Sequence, residues 1–523
     1  VSETAASATH DDGGQPIRFS STAGRWVLLA AILGSGLAGI DATVVNVALP
    51  AIGADLQTDF STLQWTITAY TLTLAALILL GGSLSDRYGR RRIFVIGVIW
   101  FAVASLCCGL APNAEILIFA RALQGVGAAL LTPGSLAMIQ ATFHPDDRAR
   151  AIGAWSGLGG VATAIGPFLG GWLVQTVSWR WVFLINVPLA IAVVIVAQRH
   201  VPETRDQTSS GRLDLWGAGL GAAALAGVTY ALIEAPARGL WSPAVLGAAA
   251  VGVVAAVAFL LVEARGRNPM LPLSIFSSTQ FSATNAVTFL VYGAFGGVFF
   301  LLVVHLQVVA GFTPLAAGTA MLPITVLMLL LSSRSGQLAT RIGPRLPMAL
   351  GPLVCAVALL LMLRIGPGAS YLSDVLPGVV VLGLGLSILV APLTATALAT
   401  VDSRHAGLAS GVNNAVARAA ALIAVALLPS LAGLSGSSYT DPVAFNEGFR
   451  ISVLIGVGIL VVGAALAALT IRNNVLVEEG GQQRPDQPDA STAPEREPQG
   501  MSHCAVDGPP IGVSTTQRHQ AQP

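Results

Sequence analysis

Fourteen runs of mostly apolar residues, each long enough to cross a hydrocarbon layer, constrain this chain more than any other feature. Crossing in helical form takes about 20 such residues. The runs lie at 26–49, 64–83, 93–111, 116–139, 151–174, 181–198, 213–233, 243–263, 281–309, 316–333, 346–364, 374–399, 406–430 and 451–471. Only 10% of the 523 residues are charged, against about 25% in a soluble domain. The expected fold class is all-α, a polytopic membrane protein.

The distribution of charge tests that count. Taking loops alternately, one side collects Arg87, Arg90, Arg91, Arg92, Arg148, Arg150, Arg199, Arg205, Arg212, Arg265, Arg267, Arg334, Arg341, Arg345 and Arg404. The other collects Arg180, Arg238, Arg364 and Arg450. This imbalance marks the first side as cytoplasmic. It predicts a cell (inner) membrane protein with both termini in the cytoplasm. Residues 1–24 lack the apolar stretch of a cleavable signal peptide and read as a cytoplasmic tail. Residues 473–523, rich in Gln, Pro, Asp and Glu, read as a disordered cytoplasmic tail, in which Cys504 is incidental.

Composition also excludes chemistry. All 27 basic residues are Arg and none is Lys. Without Lys there is no Walker A loop and no Schiff base, so neither cofactor nor nucleotide site is expected. A net charge of +1 gives no reason to expect nucleic acid. Cys107, Cys108, Cys355 and Cys504 form no Cys-x-x-Cys pair and read as packing residues, with no metal site. Seven scattered His form no catalytic cluster, which argues against an enzyme.

Between the second and third runs stands Gly81-Gly82-Ser83-Leu84-Ser85-Asp86-Arg87-Tyr88-Gly89-Arg90-Arg91-Arg92. The paired glycines permit close helix approach, and Gly89 suits a tight turn. Asp86 needs a nearby Arg or the positive end of a helix. Residues Gly336 to Arg345 repeat the pattern, with Thr340 in place of the acid. The repeat divides the chain into six-helix halves at 25–200 and 273–472, with a two-helix insert at 201–272 that reads as peripheral. Gly-x-Leu-x-Asp-Arg-x-Gly-Arg-Arg resembles the loop signature of the major facilitator superfamily. That resemblance implies the fold of two parallel halves. It also implies that Gly82, Asp86, Arg87, Gly89, Arg90 and Arg91 latch the cytoplasmic face shut.

An ionisable group within a span costs about 2.5–3.5 kcal/mol and needs a reason. Asp41 lies near the expected outer end of the first run. A carboxyl there can load and release a proton as its surroundings change; the alternative is an Asp that only caps or packs. Arg121 cannot lose its proton and requires an acceptor, so it either tunes a proton carrier or is structural. The stretch from Ile40 to Pro50 resembles the first-helix signature of the fourteen-helix drug/proton antiporter branch of the superfamily. Arg121-x-x-Gln124-Gly125-x-Gly127-Ala128 resembles the superfamily's fourth-helix motif, implicated in proton transfer.

The fifth run holds Gly153, Gly157, Gly159, Gly160, Gly166, Pro167, Gly170 and Gly171. These residues favour tight packing, and Pro167 bends the helix or frees a carbonyl. Gly-Pro-x-x-Gly-Gly is similar to the fifth-helix motif of the superfamily's exporters, although Ala162 stands where Gly is usual. The resemblance implies outward transport.

In the second half, His305 and Gln307 lie near the outer end of the ninth run. Asn413, Asn414 and Arg418 lie on the thirteenth, with Asn414 and Arg418 on one face. Arg418 is expected to pair with an acid of the first half or with the Asp86 loop. His305 either titrates near neutrality or is a satisfied packing residue. Asn46, Gln124, His305, Gln307, Asn414 and Arg418 form the expected substrate pathway. The resemblance covers residues 26–471 and implies a proton-coupled antiporter. It would expel lipophilic or amphipathic drug-like compounds through the bilayer by alternating access, with no obligate protein partner in evidence. The alternative is a dedicated exporter of an endogenous product such as a siderophore, lipid or self-made antibiotic.

Overall fold

A computed structural model describes residues 17–205, 213–266, 269–401, 406–436 and 440–476. Arg212, Arg267, Arg404, Cys504 and most of both expected tails lie outside them. Capping residues set where the helices begin. The first half comprises α1 (Thr22–Leu56), α2 (Phe60–Tyr88), α3 (Arg90–Gly109), α4 (Ala114–Thr142), α5 (Pro145–Thr176), α6 (Trp181–Leu184) and α7 (Asn186–His200). Ser21, Asp59 and Asn113 accept backbone N–H groups in the first turns of α1, α2 and α4, satisfying donors that a helix start leaves open. The insert is α8 (Leu215–Arg238) and α9 (Pro243–Arg265). The second half comprises α10 (Thr279–Val308), α11 (Pro314–Ala320), α12 (Leu322–Ile342), α13 (Arg345–Met362), α14 (Leu376–Ala399), α15 (Ala406–Leu431) and α16 (Pro442–Thr470).

With α6–α7 and α11–α12 each crossing as one broken helix, fourteen spans among the described residues are long and apolar enough to cross a membrane. Both breaks have the same cause. Pro188 and Pro323 lack the N–H that would bond Leu184 and Thr319, so the helix interrupts there. An even number of spans puts Thr22 and Thr470 at one end of the bundle, here the tail end; the opposite is the far end. Among the described residues there is no strand. An isolated bridge ties Ile17 to Phe143, so the last part of the expected N-terminal tail is anchored. At the other terminus, Asn473–Leu476 forms a short helical turn, shortening the expected loose tail.

Pro50 does not end α1, which continues to Leu56. Asp41 therefore lies 15 residues from the far end, about 22 Å at helical rise, near the middle of the helix rather than close to its outer end. Pro167, also inside a helix, deprives the Thr163 carbonyl of its partner. The Thr43 hydroxyl of α1 donates to that carbonyl at 3.0 Å, the kind of replacement that lets Pro persist in a membrane helix.

The insert packs α8 against both α2 and α15, one from each half. Trp65 Nε1 of α2 donates to Glu234 of α8 at 3.1 Å. The pair thus covers one seam between the halves. At the far end the halves are closely joined. Phe60 of α2 stands against Phe300 and Phe445, with ring centroids 5.8 and 6.2 Å away. Gln307 of α10 donates to the Val47 carbonyl of α1 at 3.1 Å.

Along α5 the residues Gly153, Gly157, Gly160, Pro167 and Gly171 recur at helical spacing on one face. Gly171 and Pro167 touch Pro314, Leu315 and Gly318 of the second half. A Cβ on Gly153, Gly157 or Gly160 would meet nothing within 4 Å. The same stripe therefore touches the second half at the far end and faces open space toward the tail end. Tight packing, expected for the whole glycine run, holds for Gly166, Gly170 and Gly171 but not for Gly153, Gly157, Gly159 or Gly160.

Candidate functional site

The chemistry gathers around Asp41, which is fully buried. Arg121 Nη1 of α4 donates to Asp41 Oδ2 at 2.6 Å. Gln124 Nε2, one turn on, donates to Oδ1 at 2.7 Å. Asn186 Nδ2, at the start of α7, donates to the same oxygen at 3.0 Å. The guanidinium is equally committed: Arg121 Nε donates to the Thr66 carbonyl at 3.1 Å and Nη1 to Gln124 Oε1 at 2.5 Å. Its central carbon lies 4.3 Å from the Tyr70 ring centroid, within cation–π range. Ser105 of α3 accepts from both Gln124 and Asn186 and donates to the Phe183 carbonyl at 2.9 Å.

One carboxylate and one guanidinium are thus buried side by side, each hydrogen-bonded, using α1, α2, α3, α4, α6 and α7. Every contributor lies in the first half. A buried ion pair survives desolvation only when its remaining polar atoms are satisfied as well, and the surrounding amides and hydroxyl do that here.

Residues 31–425 match the Major Facilitator Superfamily. The chain belongs to that superfamily. It is 35% identical to the puromycin resistance protein of Streptomyces alboniger, over 85% of this chain and 91% of that protein. It is 36% identical to the methylenomycin A resistance protein of Bacillus subtilis, covering 86% and 94%. It is 37% identical to a probable actinorhodin transporter of Streptomyces coelicolor, covering 80% and 74%. Among solved structures, the fold is shared with a bacterial homologue of the lysosomal transporter Spinster (TM-score 0.61, 17% identity, 86% of this chain and 97% of that one). It is also shared with the POT family transporter PepTSo (TM-score 0.60, 14% identity, 88% and 99%). The chain is a transporter of the drug-resistance branch, not an enzyme.

The other sequence candidates separate in this transporter. Gln124, expected in the substrate pathway, belongs to the buried cluster. His305 is fully buried; it stacks on Phe449 at 4.0 Å and its Nε2 lies 3.1 Å from Asn446 Oδ1, so it lines no open path. Gln307 is a clasp between the halves. Asn46 is half-buried and bonds only its own helix, at the Ala42 carbonyl. Asn414 is exposed and Arg418 half-buried on α15. No carboxylate among the described residues pairs with Arg418, contrary to expectation.

The tail-end loop is organised by its own acid. Asp86 takes Arg90 at 2.8 Å, and Arg87 lies over the Tyr88 ring. Gly89 turns the chain at φ +109°. A Cβ on Gly82 would stand 3.8 Å from Pro133 Cβ, an ordinary contact. Sequence reasoning missed Glu203, whose carboxylate accepts the backbone N–H groups of Arg91 and Arg92 at 3.1 Å; Arg91 also reaches the Val201 carbonyl. It missed Asn186, Ser105 and Tyr70 as well. Asn186 was detectable only as a polar residue inside an apolar run.

Proposed function

We propose that this transporter is a proton-coupled exporter of lipophilic or amphipathic compounds, working by alternating access in the cell membrane with both termini in the cytoplasm. The observation that carries this reading is the buried Asp41–Arg121 pair at mid-helix. While Asp41 is ionised, the pair fastens α1 to α4. A proton on Asp41 removes the negative charge that holds Arg121, leaving a buried cation whose strain favours rearrangement. The movement has a route to the seam. Val47, six residues along α1, accepts the far-end clasp from Gln307, and Thr43 bonds α5, whose glycine face borders the second half. Absence of Lys argues against nucleotide hydrolysis by this chain as the energy source.

Resistance and export relatives support drug efflux in general. The name of the probable actinorhodin transporter keeps the dedicated exporter of an endogenous product as a second reading. The direct test adds a lipophilic fluorescent dye outside inside-out vesicles that are energised by an acid lumen, so that export appears as dye uptake. Wild type should move dye only while the gradient lasts, and Asp41→Asn should reduce that movement to background at normal expression. Movement unaffected by an uncoupler would refute the coupling.

A further inference from the structure

A second arginine stands within the membrane, and no carboxylate among the described residues neutralises it. Arg418 lies in the span Leu408–Leu431. Its Nε is buried without a hydrogen-bond partner. Its helix packs against α2 and α10, whose Tyr70 and Tyr292 interact electrostatically with it, and the Tyr70 hydroxyl is also buried without a partner. A guanidinium N–H and a phenol O–H thus lack an acceptor in the same region.

The position is fixed rather than incidental. Asn413 Nδ2 donates to Asn285 Oδ1 and Thr288 Oγ1 of α10 at 3.2 and 2.9 Å. Two turns beyond Arg418, the Val425 carbonyl accepts from Gln64 Nε2 of α2 at 2.8 Å. These bonds hold Arg418 on the seam between the halves. The buried acids among the described residues are already engaged. Asp41 pairs with Arg121, Glu234 with Arg238, and Glu263 accepts the Leu271 N–H at the tail end.

We propose that Arg418 anchors an oxyanion of the exported compound (a carboxylate, phosphate or sulfonate), with the Tyr70 hydroxyl as second donor. The assignment deepens the export reading and rests on it for the identity of the ligand as cargo. An ionised oxyanion only accepts hydrogen bonds, which is what these two donors require. The planar guanidinium fork matches carboxylate and phosphate geometry. Low dielectric inside the span strengthens the attraction and correspondingly repels lipophilic cations. Amphipathic acids are therefore preferred over neutral or cationic analogues of equal size.

The test needs no gradient. Purified full-length protein in detergent is titrated with 11-(dansylamino)undecanoic acid and, separately, with its methyl ester, following dansyl fluorescence. The acid should bind at least about tenfold more tightly than the ester, in line with the cost of losing a desolvated charge pair. Arg418→Gln should erase that preference and Arg418→Lys should keep part of it, with all three proteins melting alike. Equal binding of acid and ester by wild type, or an unchanged preference in Arg418→Gln, overturns the proposal. So does a preference that appears only when chloride is replaced by gluconate, because a small inorganic anion then holds the site.

Vesicle export separates this idea from the one beneath it. If Arg418→Gln loses export of ester and acid alike, Arg418 serves the coupling pair and the anchor is refuted. Acid-selective binding by a wild type that exports nothing upholds the anchor and refutes the export reading.

Discussion

Arg121 and Arg418 are the same side chain at membrane depth, one in each half, with opposite surroundings. Arg121 is 1% exposed and has a carboxylate, a carboxamide, a backbone carbonyl and an aromatic face. Arg418 is half-buried with an unpartnered Nε. The contrast extends to the repeated loops. A Cβ on Gly89 would strike the Glu203 carboxylate, while one on Gly343 would strike the Asn473 carboxamide. Asp86 binds Arg90 in the first loop, whereas Thr340 in the second only bonds back to Gln337. Internal charge is balanced in the first half and left open in the second. A half whose charges are satisfied can store and release energy through protonation. A half with an open charge can recognise something that arrives.

The largest expected effect tests this contrast directly. Arg121→Ala should lower stability by about 3–5 kcal/mol, because Asp41 is left buried with its counter-ion gone. Arg418→Ala should cost little or raise the melting temperature, since it removes an uncompensated charge. Thermal unfolding in one detergent measures both. Equal losses for the two variants would dissolve the distinction.

Much of this architecture was legible in the chain. Span length and Arg placement reveal helices because lipid tolerates few alternatives, and the Gly336–Arg345 repeat exposes the halves. Asp41 and Arg121 stood out because charge in an apolar run is costly. Their meeting was not legible: it depends on α1 crossing α4, which no local spacing encodes. The first apolar run, at 26–49, stops short of Leu56 because a membrane helix can run through proline. Gln124 suggested a pathway lining because a polar side chain in a span can face either a cavity or a buried charge, and only packing decides. Asn186 and Ser105 belong to no motif and act solely through what folds onto them.

A smaller effect probes the balanced side. Gln124→Leu keeps the size roughly constant but removes one donor to Asp41 Oδ1 and one acceptor from Arg121. Hydrogen bonds to charged groups contribute about 1.5–3 kcal/mol. The melting temperature should fall measurably, but by less than in Arg121→Ala, since the ion pair itself remains. Dye export in vesicles should slow rather than stop. Complete loss would assign Gln124 a direct part in proton movement.

The smallest effect belongs to the open side. Asn413→Ala breaks two neutral bonds between α15 and α10, and such bonds between membrane helices average about 0.6 kcal/mol. Stability should barely change. The preference for the dansyl acid over its ester should survive, because Arg418 keeps its charge and α15 keeps its tether from Gln64 to Val425. The two readouts part company here: a melting temperature near wild type with the preference lost would show that recognition depends on the register of α15 rather than on an unneutralised charge. Retention of both ties recognition to the charge and leaves Asn413 as ordinary packing.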